Sequence, residues 1–219
     1  WKTLWCGCKL EREAFQTRRF SKAGLPAPRL VMWGERKLPT WALGFYISGF
    51  LVTEYLHGAS NLAELLESGA PPWKDGTDDK TDDVLEDLAA LLVRVHRAGL
   101  IHGDFMLKNC LYRPRSATEP YLLVDMESGW PLPPDDPKGQ TGRDRDLFRM
   151  VVSLVRNELC ETHVAHFLRA YMDRWREEPA APPDPEEKLD DFLHLRDHRA
   201  EEAVNILHEE PELAGSRNL

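Results

Sequence analysis

Asp104 and Asn109 stand five residues apart in His102-Gly103-Asp104-Phe105-Met106-Leu107-Lys108-Asn109. That spacing suits phosphoryl transfer. An aspartate there accepts the proton of an attacking hydroxyl, and an asparagine five positions on turns back to hold the metal ion that bridges nucleotide phosphates. Such a site needs a second acid. Asp125 supplies it 21 residues after Asp104, at the end of Tyr121-Leu122-Leu123-Val124, four apolar residues that read as a short buried strand. The expected roles are Asp104 as base and Asn109 and Asp125 as metal ligands. His-Gly-Asp alone is equally a turn, with Gly103 giving backbone freedom and Asp104 a cap, so the combined offsets carry the inference. His102 reads as a packing and hydrogen-bonding residue rather than a titrating catalyst.

The elements around the loop must position it. Val84, Leu88, Leu91 and Val95 recur at helical spacing and Gly99 follows as a stop, so a helix leads into the loop. Leu100 and Ile101 add a brief extended stretch, and Asp104 emerges from a packed scaffold, as positioning chemistry requires. Upstream, 43–56 (LGFYISGFLVTEYL) is rich in aromatic and β-branched residues, with Gly58 and Asn61 as turn signals, which predicts a strand and its exit. That exit is either an ordinary polar strand end or a hinge whose Glu54, Tyr55 and Leu56 backbone meets an adenine edge.

Residues 11–20 (EREAFQTRRF), closed by Gly24 and Pro26, predict a further helix. Glu13 shares a face with Thr17 and Phe20, so its carboxylate can point inward to pair with a phosphate-contacting lysine. Glu11 lies with Phe15 and Arg18 on a face expected to be solvated. Lys2, 11 residues before Glu13, is the candidate partner. Gly7 between Cys6 and Cys8 forms no phosphate-binding glycine pattern, and Lys9 sits too near the helix to lie on a preceding strand. Arg143-Asp144-Arg145-Asp146 is expected to precede an apolar, largely buried helix carrying Leu147, Phe148, Val151, Val152, Leu154 and Val155, with Asp146 as its cap. Between Asp125 and that helix, residues 129–137 (GWPLPPDDP) form an irregular loop, read as an acceptor-pocket wall or a plain connector.

These stretches resemble the lipopolysaccharide kinase group, which includes the Kdo kinases and heptose kinases of the bacterial inner core. The resemblance covers roughly residues 10–156. It rests on Glu13 in EREAF, Gly24-Leu25-Pro26-Ala27-Pro28, 53–58 (TEYLHG), 96–104 (HRAGLIHGD), Asn109 and Asp125. It implies an α+β protein-kinase-like fold, with a partial N-lobe over 1–56 (antiparallel sheet plus helix) and a mainly helical C-lobe over 57–176. It also implies ATP-dependent phosphorylation of a sugar hydroxyl, with Asp104 as base, Mg²⁺ on Asn109 and Asp125, and Asp146 bonded to the catalytic-loop backbone. The acceptor would be a sugar or lipid-linked sugar at the cytoplasmic face of the inner membrane. Met126-Glu127 replaces the Phe-Gly that follows the metal aspartate in protein kinases, and no Ala-Pro-Glu follows, which favours a small acceptor over a peptide. The competing readings are a pseudokinase that binds a partner without catalysis and, within the enzyme class, a kinase of a soluble small molecule or a protein.

Composition bounds these expectations. At 219 residues and 42% hydrophobic content the chain can bury one core, and four cysteines without a Cys-x-x-Cys pair suit a reducing cytoplasm. The longest uncharged run, 38–53, contains Pro39 and is too short for a spanning helix. No signal peptide is visible. Residues 177–219 hold thirteen acidic and four basic residues, which accounts for the whole net charge of −9. The remainder is balanced and has no global basic field for nucleic acid. Arg18, Arg19 and Lys22 form a local basic face that either makes peripheral contact with anionic headgroups or is simply solvated. In the acidic segment, Pro179, Pro182, Pro183 and Pro185 predict a stiff linker, and seven large apolar residues predict a helix over 186–208.

Overall fold

The fold is that of a computed structural model describing residues 9–37, 46–68, 74–75, 78–114, 120–131 and 137–176. The chain divides into two units, 1–175 and 176–219. The acidic segment, with its expected linker and helix, lies outside the described residues, as do Lys2 and residues 132–136 of the proline-rich loop.

Helix α1 (Lys9–Lys22) buries Ala14, Gln16, Thr17 and Phe20 on one stripe and ends at Gly24, in the left-handed conformation at φ 67°. Strands β1 (Leu30–Lys37) and β2 (Tyr46–Thr53) pair antiparallel, Met32 opposite Val52 and Trp33 opposite Leu51. The expected strand is thus present in its central portion. Helix α1 packs on this ribbon, with the Phe15 and Trp33 ring centroids 6.1 Å apart.

Short strand β3 (Ser60–Asn61) leads into α2 (Leu62–Glu67), whose first turn is capped by the Asn61 side chain accepting the Glu64 amide hydrogen at 2.7 Å. A small ribbon, β4 (Lys74–Asp75) with β5 (Asp78–Asp79), precedes α3 (Thr81–Arg97). Helix α3 buries Val84, Leu88, Leu91, Leu92 and Val95 and stops at Gly99. Strand β6 (Leu100–Ile101) then leads into the loop that carries Asp104. A 3₁₀ turn over Leu107–Asn109 follows, then the hairpin β7 (Cys110–Tyr112) and β8 (Tyr121–Leu123), with β3 on its other edge. After a second 3₁₀ turn at Met126–Ser128, β9 (Trp130–Pro131) returns to pair with β6.

Helices α4 (Pro137–Arg156) and α5 (Glu161–Arg176) complete the described fold. Helix α4 differs from the expectation: Arg143 to Asp146 lie inside it, so Asp146 is no N-terminal cap. The sequence hides the early start because glycines weaken helical propensity. Tertiary packing overrides that cost at Gly142, where an added Cβ would come within 2.8 Å of the Ile101 side chain and 3.1 Å of the Trp130 ring.

Candidate active site

Helix α4 reads the loop that carries Asp104 with one polar stripe. Asp146, Arg149 and Ser153, spaced by three and four residues, share a helical face. Asp146 is fully buried and accepts the His102 amide hydrogen at 2.8 Å through Oδ2 and that of Gly103 at 2.7 Å through Oδ1. Arg149 Nε lies 3.5 Å from Asp104 Oδ1. Ser153 Oγ accepts the Leu107 amide hydrogen at 3.0 Å. A buried carboxylate that satisfies two backbone donors is a rigid anchor, because losing it would strand both N–H groups away from water.

The anchor has its own support. His96 Nε2 donates to Asp146 Oδ2 at 3.3 Å, and the His96 Nδ1 left as acceptor takes the Tyr171 hydroxyl hydrogen at 2.8 Å. Burial pushes the His96 pKa below its ordinary value despite the Asp146 charge, so the ring is neutral, and burial pushes the Tyr171 phenol up. His102 is also buried and its pKa lowered by burial. Its ring meets Phe20 and Phe105 edge-on, and Nδ1 accepts the Asp104 amide hydrogen at 3.4 Å. The packing role expected for His102 is the one it has.

Asp104 and Asn109 are brought together. Asn109 is buried, and its Nδ2 donates to the Asp104 backbone oxygen at 2.9 Å and to Asp104 Oδ2 at 3.1 Å. With the amide nitrogen committed, Asn109 Oδ1 is the end able to face a cation. The Val124 amide donates to the Asn109 carbonyl at 3.0 Å, extending the β7–β8 pairing to the residue before Asp125. Asp125 is exposed and adopts the left-handed conformation, φ 61° and ψ 51°. The left-handed conformation is uncommon for a non-glycine residue, although aspartate adopts it more readily than most.

The turn after Asp125 is clamped from two sides. From α1, Glu13 Oε1 accepts the Met126 amide hydrogen at 3.1 Å, and Gln16 Nε2 donates to the Gly129 carbonyl at 2.7 Å. From the Asp104 loop, Gly103 at φ 83° lies so close that an added Cβ would collide with the Ser128 carbonyl. Burial, aided by the Asp125 and Glu127 charges, pushes the Glu13 carboxyl up, while the Met126 bond opposes this. A Glu13 carboxylate held this way is suited to a cationic partner. Lys9 Nζ pairs with Glu127 Oε1 at 2.7 Å, a contact that raises the lysine's pKa.

The chemistry fits a hard divalent ion. Asn109 and Asp125 offer oxygen donors, and among the described residues no group of three or more His, Cys, Asp or Glu is arranged to hold a metal by itself. Mg²⁺ is commonly bound by one or two protein oxygens with phosphates and water completing the octahedron. At the strand exit, Glu54 exchanges two bonds with Arg29: its amide donates to the Arg29 carbonyl and its Oε1 accepts the Arg29 amide hydrogen, both at 2.9 Å. Any adenine contact of Glu54 would therefore use its carbonyl. The Tyr55 side chain is 88% exposed, and the Leu56 carbonyl accepts the Ala59 amide hydrogen.

Sequence reasoning passed over several residues that meet this region. Lys9 lies in the first turn of α1, not on a strand, as its spacing predicts, and from there it reaches Glu127. Gln16, Lys108, Arg149 and Ser153 were also missed. A signal existed for Arg149 and Ser153, since polar residues three and seven positions after Asp146 interrupt an otherwise apolar helix on one face.

Residues 8–171 match the lipopolysaccharide kinase (Kdo/WaaP) family. The chain belongs to that family. It is accordingly a kinase that transfers phosphate to a hydroxyl, on a protein-kinase-like fold. Among solved structures, one described as WaaP in complex with acyl carrier protein is similar with a TM-score of 0.62 and 22% identity, covering 91% of this chain and 77% of that one. A Rio2 kinase in an ADP/Mg²⁺-phosphoaspartate complex from Chaetomium thermophilum is similar at 0.43 and 18%, covering 81% and 41%. No curated protein matches the chain. Among the described residues of this family member, no helix is long and apolar enough to cross a membrane.

Proposed function

We propose that this lipopolysaccharide kinase transfers the terminal phosphoryl of Mg-ATP to a sugar hydroxyl of the lipopolysaccharide inner core, on Kdo or heptose. Asp104 is the base, and Asn109 and Asp125 hold the Mg²⁺ that offsets phosphate charge. Glu13 pairs with a phosphate-contacting lysine, for which Lys2 is the candidate, and the backbone of Glu54, Tyr55 and Leu56 receives the adenine. Residues 1–56 act as a partial N-lobe and 57–176 as the C-lobe.

The observation carrying this reading is the pair of bonds from Asn109 Nδ2 to Asp104, which fix the base against the residue whose remaining amide oxygen suits a metal. Catalysis of phosphoryl transfer is largely positioning plus charge stabilisation. A base whose loop is bonded by the buried Asp146 and Ser153 of α4, and whose side chain is held by Asn109, meets the first requirement.

The acceptor is a sugar or lipid-linked sugar, which places the enzyme at the cytoplasmic side of the inner membrane in peripheral contact. The exposed Arg18, Arg19 and Lys22 of α1 offer a basic surface for such contact. The solved WaaP complex makes acyl carrier protein the protein partner to test first.

The test is label transfer from γ-labelled ATP, by the full-length protein, to inner-core oligosaccharides and small sugars. Mg²⁺-dependent labelling of a Kdo- or heptose-containing acceptor is expected. Binding of Mg-ATP without labelling of any sugar would overturn the acceptor class.

A further inference from the structure

The Asp104 carboxylate has two differently furnished sides. Asn109 Nδ2 and Lys108 Nζ approach Oδ2 at 3.1 and 3.7 Å, whereas Arg149 Nε approaches Oδ1 at 3.5 Å. Asn109 is the proposed metal ligand, so the Oδ2 side is the nucleotide side. Attacking and leaving oxygens lie roughly in line on opposite sides of a transferred phosphoryl group. An acceptor hydroxyl therefore reaches the base from the side away from the nucleotide, which is the Arg149 side.

Arg149 is not consumed by its contact with the base. A charge-assisted N–H···O⁻ bond is about 2.7–2.9 Å long, and buried arginine–carboxylate pairs are frequently bidentate. Here a single nitrogen sits at 3.5 Å, and the Arg149 side chain is 43% exposed against 19% for Asp104. The contact engages one of about five N–H donors, in a fork whose planar geometry matches carboxylate and phosphate groups. The fork is also held in register. Asp146 and Ser153, on the same face of α4, bond the loop backbone on either side of Asp104, at His102, Gly103 and Leu107. A cation aimed beside the base from a rigid helix is poor at greeting a neutral sugar and well suited to an anionic one.

We infer that Arg149 is a specificity residue whose guanidinium takes an anionic group of the acceptor sugar, a carboxylate or a phosphate, close to the hydroxyl that is phosphorylated. This rests on the proposed sugar-kinase function and narrows it.

Two matched pairs of probes test it with the full-length enzyme: the methyl glycoside of Kdo against its carboxyl-reduced form, and a heptose phosphate against the neutral heptoside. The wild-type enzyme is expected to favour the anionic member of at least one pair by about 10- to 100-fold in kcat/KM, the scale of one charge-assisted contact. The pair that responds identifies carboxylate or phosphate as the group bound. Arg149→Gln should collapse that preference toward unity, and Arg149→Lys should keep part of it, because the charge remains while the fork is lost.

No preference in either pair for the wild-type enzyme would overturn the inference without any variant. Equal loss toward both members of the favoured pair in Arg149→Gln would also overturn it, because the arginine would then serve Asp104 or the transferred phosphoryl rather than the acceptor. Transfer to none of the four probes, with Mg-ATP bound, would defeat the sugar-acceptor reading and this inference with it. That outcome is distinguishable from the first two, which both require measurable transfer.

Discussion

The Asp146 carboxylate accepts the Gly103 amide hydrogen at 2.7 Å across 43 residues of sequence, while its other oxygen takes that of His102. Asparagine at 146 keeps the shape but has one acceptor oxygen and presents an NH₂ group to an N–H. Asp146→Asn should therefore lower stability by about 3 kcal/mol, the range for breaking a buried charged network. Phosphoryl transfer should fall with it, because the loop that aims Asp104 loses its anchor. Thermal melting and turnover measured together check this. A melting curve like that of the parent would show that the two bonds do not hold the loop.

The neutral His96 under that anchor makes stability pH-dependent. Burial lowers the folded-state pKa of His96 and of His102 below the ordinary 6.5. The unfolded chain takes up protons near that value that the folded chain refuses, so stability is fully present above about pH 6.5 and is lost as pH falls beneath it. Glu13 acts in the opposite sense, since its raised folded-state pKa makes the folded chain keep a proton longer just above the ordinary carboxyl value of 4.5. Melting temperatures between pH 8 and 5.5 should fall for the parent and fall less for His96→Gln, which cannot titrate. Equal slopes would assign the pH dependence elsewhere.

Much of the site was legible because its parts are locally encoded. An apolar strand had to end at Asp125, a helix had to stop at Gly99, and Glu13 had to share a face with Thr17 and Phe20. All of these follow from period and turn chemistry. What was not legible depends on register between distant elements. The Pro137 start of α4 is hidden by glycines, one of which, Gly142, packs closely on Ile101 and Trp130. The polar stripe of Arg149 and Ser153 shows in the spacing after Asp146, but that it meets the Asp104 loop depends on α4 running alongside that loop. Lys9 reaches Glu127 because α1 packs on the turn after Asp125, a tertiary fact of the same kind.

Gly103 tests how closely that turn and the loop are fitted. Its φ of 83° and the Ser128 carbonyl both oppose a side chain, whereas Gly58 at φ 71° faces open space. Gly58→Ala should cost about 1 kcal/mol, the conformational term alone. Gly103→Ala should cost about 3 kcal/mol or more, as the same term plus displacement of backbone next to Asp125. Denaturant melts of the two variants give the comparison, and similar losses in both would remove the steric argument.

Asp104→Asn removes the proposed base while retaining an acceptor oxygen for the Asn109 amide. Transfer should drop by about 10²- to 10⁴-fold, the usual contribution of a positioned general base. Nucleotide affinity should stay near that of the parent, because neither proposed metal ligand is touched. Single-turnover kinetics beside ATP titration separate the two effects. Normal turnover in the variant would sink the assignment of Asp104.

The proposed metal ligands can be told apart by what else each one does. Asp125 sits exposed at the end of its strand and brings a full negative charge to a hard cation, so Asp125→Ala should give the larger loss of Mg²⁺-dependent ATP affinity. Asn109 supplies a neutral oxygen but also holds Asp104, through bonds of 2.9 and 3.1 Å. Asn109→Ala should therefore weaken Mg-ATP binding modestly and lower kcat beyond what that weakening explains, since Asp104 loses a partner and its fixed orientation. Calorimetric titration of ATP at several Mg²⁺ concentrations, combined with kcat at saturating Mg-ATP, distinguishes these patterns. If both variants bind Mg-ATP as the parent does, the metal is held elsewhere and the two residues serve the loop alone.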